Sequence, residues 1–290
     1  MHANSLVFKS LAWYGNNVRH RGSYRVLNRL RRITQADIDT ELVVRRRGTR
    51  WALNPADFVH QDVFWHGTKD FWDVWHLKRL LAADSLVVDI GSNFGYYAIH
   101  LARTLGNESR ALAFEPMPHI YARLSRNIAL NNLAEQVTAL QVGLSDAAGE
   151  AKMAARQGNS GSAQIGADAA DLTTVRIETL DGLWPGLAGA RAADFIKIDV
   201  EGHEPRVLAG ARGVLEQHQP IVLLEVDPPR LEEAGSSPAA LAAFFGALGY
   251  RHFVSNRSRL DKVALDRAPE LVNVLCLHRE RHAAEIARWT

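Results

Sequence analysis

From residue 85 onward the chain alternates between short, continuous apolar runs and longer stretches whose apolar residues return every three or four positions. The runs are "SLVVDI" (Ser85–Ile90), "RALAFE" (Arg110–Glu115), "QVTALQVGLS" (Gln136–Ser145), "DFIKIDV" (Asp194–Val200), "PIVLLEV" (Pro220–Val226), "RHFVS" and "LVNVLCLH". An apolar run without alternation predicts a strand covered on both faces. The stretches at 95–105, "HIYARLSRNIALNN", "EPRVLAGARGVLEQH" and 238–247 carry helical spacing instead. Strand and helix in succession predict an α/β fold with a doubly wound, mostly parallel seven-stranded sheet. The last two runs have no helical stretch between them and are open to antiparallel pairing. Between them and the first runs, "ARQGNSGSAQIGADAADL" (Ala154–Leu172) is rich in glycine and serine and predicts a long loop or lid with short strands on either side.

The pattern upstream is different. Residues 1–35 read as one or two amphipathic helices, "ELVVRRRGTRWALNP" (Glu41–Pro55) as a small hairpin turning at Gly48, and "DFWDVWHLKRLLAADS" (Asp70–Ser85) as a helix. We therefore expect an N-terminal α+β extension over 1–80, packing on a core domain over 81–290. Phe64, Trp65, Phe71, Trp72 and Trp75 are read as core, with stacking on a sugar ring as the alternative. Composition adds little, since 47% hydrophobic and 23% charged residues are ordinary for a globular chain. No apolar stretch approaches the ~20 residues that cross a bilayer, and the first residues lack a cleavage site. Cys276 is the only cysteine and lies in an apolar run, so a reducing compartment, the cytoplasm, is expected.

Charge changes the picture more. The net charge is +2, yet residues 1–50 hold 11 Lys/Arg against 3 Asp/Glu, mostly in "RVLNRLRR" (Arg25–Arg32) and "VVRRRGTR" (Val43–Arg50). Such runs are either a solvated face or a surface for an anionic partner: a phosphorylated glycan, or the inner face of a membrane to which the protein is peripheral. No nucleic-acid motif accompanies them, and none is expected as partner. The oligomeric state stays open, a homo-oligomer included.

The chemistry starts at "VVDIGSNFGYYAIHLA" (Val87–Ala102), a strand, a glycine turn and a helix, the arrangement that brings bare backbone to a ligand. The first strand ends at Asp89 before Gly91 and Gly95; the second ends at Glu115, an acid suited to a ribose diol. A dinucleotide loop needs a middle glycine, and Asn93 stands there. Asp89, two residues before the first glycine, would repel a pyrophosphate and favour a cationic sulfonium ligand. S-Adenosylmethionine fits this loop better than NAD.

These blocks, with "AFEPMPHIYARLSRNIALNN", "FIKIDVEGHEPRVLAGA" and "IVLLEV", resemble those of FkbM-type methyltransferases from about Val87 to Leu277. Ser92 stands where that family usually has alanine, and residues 1–80 match only loosely. The resemblance implies S-adenosylmethionine as donor and an oxygen of a sugar or natural product as acceptor. It puts Glu115 on the ribose and Asp146 near the adenine. Asp89, Gly91, Ser92, Asn93, Gly95, Pro116, Ser145 and Asp199 complete the implied donor site, and "NSGS" (Asn159–Ser162) resembles a stretch near the acceptor.

"KIDVEGHE" (Lys197–Glu204) follows the fourth strand and offers Asp199, Glu201 and His203 for removing the acceptor proton. His203, with an ordinary pKa near ~6.5, is the natural base. Asp199 either holds the donor's amino end or orients the base, and Glu204 caps the next helix. Asp199 and Glu225 end neighbouring strands and offer an Mg²⁺ site, which stays open. The expectation is an S-adenosylmethionine-dependent O-methyltransferase. An NAD(P)-dependent oxidoreductase and a non-catalytic S-adenosylmethionine-binding protein are the rivals.

Overall fold

A computed structural model describes residues 2–18, 22–34, 39–156, 158–165, 172–188, 191–268 and 270–289. The chain divides into two compact units, Met1–Phe71 with Arg156–Gly161, and Trp72–Ala155 with Ser162–Thr290. Among the described residues no helix is long and apolar enough to cross a membrane.

In the first unit, helices His2–Asn17 and Ser23–Thr34 pack together beside an antiparallel hairpin of β1 (Leu42–Arg46) and β2 (Thr49–Leu53). The hairpin turns at Arg47 and Gly48, both at positive φ. Leu27, Trp51, Phe64 and Trp65 are buried here, and Phe8 meets the Phe64 and Trp65 rings at 5.6 and 5.1 Å. Of the five aromatic residues read as core, Phe64 and Trp65 are core, whereas Phe71 and Trp72 stay more than a third exposed. The basic run at 25–32 is not one solvated face: Arg31 is buried with its guanidinium 4.6 Å from the Trp65 ring centroid.

The second unit is built on the alternation seen in the sequence. The strands after β2 are β3 (Leu86–Ile90), β4 (Arg110–Phe114), β5 (Val137–Leu140), β6 (Gly143–Leu144), β7 (Gly149–Arg156), β8 (Asn159–Ile165), β9 (Thr173–Glu178), β10 (Phe195–Ile198), β11 (Ile221–Val226), β12 (Tyr250–Asn256), β13 (Arg259–Lys262) and β14 (Val272–His278). The large sheet runs β13-β12-β14-β11-β10-β3-β4-β5, so it has eight strands, not seven. From β11 to β5 the pairs are parallel; β14, β12 and β13 are antiparallel, as the missing helix between the last two apolar runs allowed. The extra strand is β13, a four-residue hairpin partner of β12 with only Leu260 buried, too short and polar to show as an apolar run. Every residue of β3 and β10 is buried, so both faces of the sheet are covered. This is a doubly wound α/β core.

Two predicted elements are divided. The run Gln136–Ser145 splits because β5 belongs to the large sheet whereas β6 pairs with β9 in a second sheet ordered β6-β9-β7-β8. The helix expected over 204–218 breaks at Ala211 into Glu204–Gly210 and Arg212–His218. A Cβ on Gly210 would lie 1.9 Å from the Ser145 carbonyl, so the first helix ends against that backbone. The Asp181 carboxylate accepts from the Gly213 and Val214 N–H groups at 2.8 Å each and starts the second. Of the expected loop at 154–172, residues 159–165 form β8; residues 157 and 166–171 lie outside the described residues.

Candidate active site

The register of the parallel strands decides which loop residues meet. Ile90 pairs with Phe114 on one side and with Ile198 on the other, and Ile198 pairs with Leu224. The next residue along each strand is therefore Glu115, Gly91, Asp199 and Glu225, in one row across the carboxyl edge of the sheet. Ligands of open α/β sheets bind at this edge.

Gly91 sits at φ 74°, and its N–H and that of Ser92 both donate to the Phe114 carbonyl at 3.1 and 2.9 Å. A Cβ on Gly91 would lie 1.8 Å from the Asp199 carbonyl, and one on Gly95 would lie 2.6 Å from a Leu124 methyl. The two glycines are thus required first by packing: they let the β3 loop lie against the β10 loop and the helix Tyr96–Leu105 against its neighbour. Asn93 takes the left-handed conformation, φ 50°, in the same turn.

Asp89 is 1% exposed and works inside this loop. Its Oδ2 accepts from Ser92 Oγ at 2.7 Å and from the Ala98 N–H at 3.1 Å, in the first turn of the helix, where an acid is favoured. Its Oδ1 is buried with no hydrogen-bond partner among the described residues. Glu115 is 5% exposed; Oε2 accepts from the Asn93 N–H and Oε1 from the Met117 N–H, both at 3.0 Å. Burial pushes its pKa up to about 7, and the Asp89 charge adds to the rise against those N–H groups and Lys197. Each Glu115 oxygen keeps one lone pair. Gly91, Asn93 and Pro116 remain partly exposed, so the loop keeps an accessible lip above its buried acids.

Lys197, which the sequence reading passed over, is 5% exposed and pairs with Asp199 at 2.8 Å, its ammonium 5.1 Å from the Tyr97 ring centroid. The one signal was a lysine in the otherwise apolar run "FIKI". Arg230, also unforeseen, holds Glu201 at 2.8 Å and Asp227 at 3.5 Å. Glu201 has φ 58°, and burial with the Asp199 charge raises its pKa to about 7, opposed by Arg230. Glu204 does not only cap a helix. It is 2% exposed, and its Oε1 accepts from the Val200 and Gly202 N–H groups at 3.1 and 3.2 Å, tying the loop together. Burial raises its pKa to about 7 as well.

His203 Nε2 lies 2.9 Å from Ser145 Oγ, which donates to Asp146 Oδ1 at 2.9 Å. With the serine proton committed to Asp146, Nε2 carries the ring proton and Nδ1 is the basic nitrogen. Burial and Arg206 hold the His203 pKa below its ordinary value, which keeps the ring neutral. Asp146, whose own pKa is lowered chiefly by the Ser145 bond, also meets Arg206 at 3.2 Å. The carboxylate that the resemblance puts near the adenine is engaged here in a chain ending on His203. Within Asn159–Ser162, Ser160 is buried and its N–H donates to Asp57 at 3.1 Å, both in the first unit.

Asp199, Glu201 and Glu225 bring carboxylate oxygens within 4.8 Å of one another. Oxygen donors at this spacing suit a hard divalent cation. Lys197 and Arg230 supply positive charge to two of the three acids, and Arg230 is shared with Asp227.

Residues 89–252, more than half of the chain, match the sequence profile of the Methyltransferase FkbM domain. The chain is 28% identical over 215 residues to Methyltransferase sdnD of Sordaria araneosa, covering 63% of this chain and 78% of that protein. It is 33% identical over 96 residues to Methyltransferase 1 of Beauveria bassiana, 31% of this chain and 35% of that one. The crystal structure of Methyltransferase FkbM from Methylobacillus flagellatus KT superposes with a TM-score of 0.46 at 16% identity, covering 94% of this chain and 59% of its own.

Proposed function

The chain belongs to the FkbM methyltransferase family, and on that premise we propose that it moves the methyl group of S-adenosylmethionine to a hydroxyl oxygen. The acceptor in this reading is a sugar in a glycan, a lipid-linked saccharide or a glycosylated natural product. One observation carries the donor assignment: Asp89 Oδ1 is a buried carboxylate oxygen without a partner among the described residues, beside a second buried acid, Glu115. Acceptor atoms left over in an acid-rich row suit a ligand that brings positive charge and N–H or O–H donors. A pyrophosphate brings neither.

In this reading Asp89, Gly91, Ser92, Asn93, Gly95, Glu115 and Pro116 hold the donor, with Glu115 accepting from its ribose. When bound, S-adenosylmethionine supplies a methyl group on a sulfonium, which makes that carbon electrophilic. His203 takes the proton of the acceptor hydroxyl at Nδ1. Ser145 and Asp146 fix the tautomer that leaves Nδ1 free, and a neutral ring is ready for that task. Lys197 holds Asp199 at the edge of the row, Arg230 holds Glu201, and Glu204 fixes the loop that carries all three reacting candidates. We place the enzyme in the cytoplasm, peripheral at an anionic membrane through its basic first unit.

Calorimetry with S-adenosylmethionine and with NAD tests the donor; binding of NAD alone overturns it. Labelled methyl transfer onto polysaccharide and lipid-linked saccharide fractions tests the acceptor. Label that appears only on nitrogen, or in no saccharide fraction, rejects it.

A further inference from the structure

The first unit holds a cleft of about 690 Å³ between the helix His2–Asn17 and the hairpin β1–β2. Phe8, Lys9, Trp13, Arg45, Arg46 and Phe64 are among the residues that line it, Arg47 joins them at the turn, and no acidic residue among the described residues lines it. Four cations therefore face one concave space.

Arg46 is the most informative of them. Its Nε donates to the Phe64 carbonyl at 2.6 Å and its Nη1 to the Arg45 carbonyl at 3.0 Å, with the guanidinium 5.0 Å from the Phe64 ring centroid. Two carbonyls and a ring fix the fork, but no carboxylate among the described residues meets it, and three of its five N–H groups have no partner there. Burial alone pushes its pKa down to about 10. Lys9 and Arg45 likewise form no ion pair among the described residues. A desolvated guanidinium is ordinarily paired, because an uncompensated charge removed from water is destabilising. At the rim, Trp13 is 63% exposed, a large apolar ring left in water beside the cations.

From this cleft we infer a binding site for an organophosphate, its phosphate held by the fixed Arg46 fork with Lys9 and Arg45, and its organic part lying along Trp13. A planar fork matches phosphate oxygens two at a time, and an indole offers a face to an acyl chain or a sugar ring. The same phosphate chemistry occurs in a lipid headgroup and in a soluble phosphate ester. The inference deepens the anionic-partner part of the reading above and does not depend on methyl transfer.

The test uses the full chain in two arms. One measures co-sedimentation with vesicles of phosphatidylglycerol and phosphatidylcholine, against pure phosphatidylcholine. The other measures calorimetric binding of glycerol 3-phosphate and inorganic pyrophosphate. Binding in either arm is expected, with at least a ten-fold loss in Arg46→Gln and in Lys9→Gln. Binding only to anionic vesicles identifies the source as a headgroup; binding of the soluble probes identifies a free ester. Trp13→Ala is expected to weaken the vesicle arm several-fold and to leave pyrophosphate binding unchanged. Lys9 is exposed and touches no core residue through an ion pair, so its variant reports on binding even where Arg46→Gln unfolds the unit. No binding in either arm, or wild-type binding by Lys9→Gln, overturns the cleft. Salt-sensitive vesicle association that survives both substitutions also overturns it, while leaving the membrane reading standing.

Discussion

At the carboxyl edge of the large sheet, Asp89 and Glu115 are buried acids whose nearby cation, Lys197, is already bonded to Asp199 at 2.8 Å. In the first unit, Arg46 is a half-buried cation whose hydrogen bonds go to two backbone carbonyls. The first region has acceptor capacity and negative charge left over; the second has donor capacity and positive charge left over. Other charged groups are answered within the fold, Arg31 by the Trp65 ring and Glu201 by Arg230, although Glu204 Oε2 is also buried without a hydrogen-bond partner among the described residues. Charge left unanswered on a wholly or partly buried group is destabilising, and a ligand of opposite sign offsets that cost.

The largest expected effect separates charge from chemistry. His203→Ala should lower kcat by ~10²–10⁴ with donor affinity unchanged, as measured by labelled methyl transfer and calorimetry. Unchanged turnover removes His203 as the base. Next, Gly91→Ala places a methyl 1.8 Å from the Asp199 carbonyl at φ 74°. A loss of about 3–4 kcal/mol in chemical denaturation is expected, because strain and overlap add.

The pH dependence distinguishes the two regions directly. Glu115 and Glu204 have folded pKa values raised from 4.5 to about 7. The folded state therefore holds more protons than the unfolded chain between those values. Their contribution to stability is complete below pH 4.5 and is lost as pH rises through 7, on the order of 3 kcal/mol for each group. Glu204→Gln should flatten that decline in denaturation curves taken from pH 5 to 8. Donor binding should move the opposite way and strengthen as pH rises through 7, because an ionised Glu115 accepts hydroxyl protons. Association of the first unit with phosphatidylglycerol vesicles should stay flat over this range, since a phosphodiester keeps its charge there and Arg46 titrates only near 10.

Glu115→Gln keeps the shape of the side chain and removes its charge. About a ten-fold loss of S-adenosylmethionine affinity is expected, the scale of a hydrogen bond to a charged group. The smallest effect is salt: shortening the Debye length from ~10 to ~3 Å should weaken vesicle association of the first unit several-fold and leave donor affinity within about two-fold. Equal salt sensitivity in both regions would erase the contrast between an exposed cationic cleft and a buried acidic row.

Much of this was legible in the chain itself. The apolar runs located β3, β4, β10, β11 and β14 to within a residue or two, because a strand buried on both faces has no room for polar residues. Asp89, Glu115, Asp199 and His203 stood out as polar groups at the ends of those runs. Lys197 did not, since a single lysine in "FIKI" looks the same whether it snorkels to water or is buried on a partner carboxylate. Arg230 lies 29 residues beyond Glu201, and no local pattern links the two.

The periodicity of apolar residues alone determined that this chain forms a parallel α/β sheet with acids at its strand ends, because burial of a strand is a local property of its composition. Tertiary structure decided which of those acids stay ionised, paired or unpartnered. It showed that the two glycines yield space to Asp199 and Leu124 before any ligand, and that Ser145 orients His203 from 58 residues away. It also separated the buried Arg31 of one basic run from the cleft-lining Arg46 of the other. Charge balance is settled by distances across the fold, and sequence order carries almost none of that information.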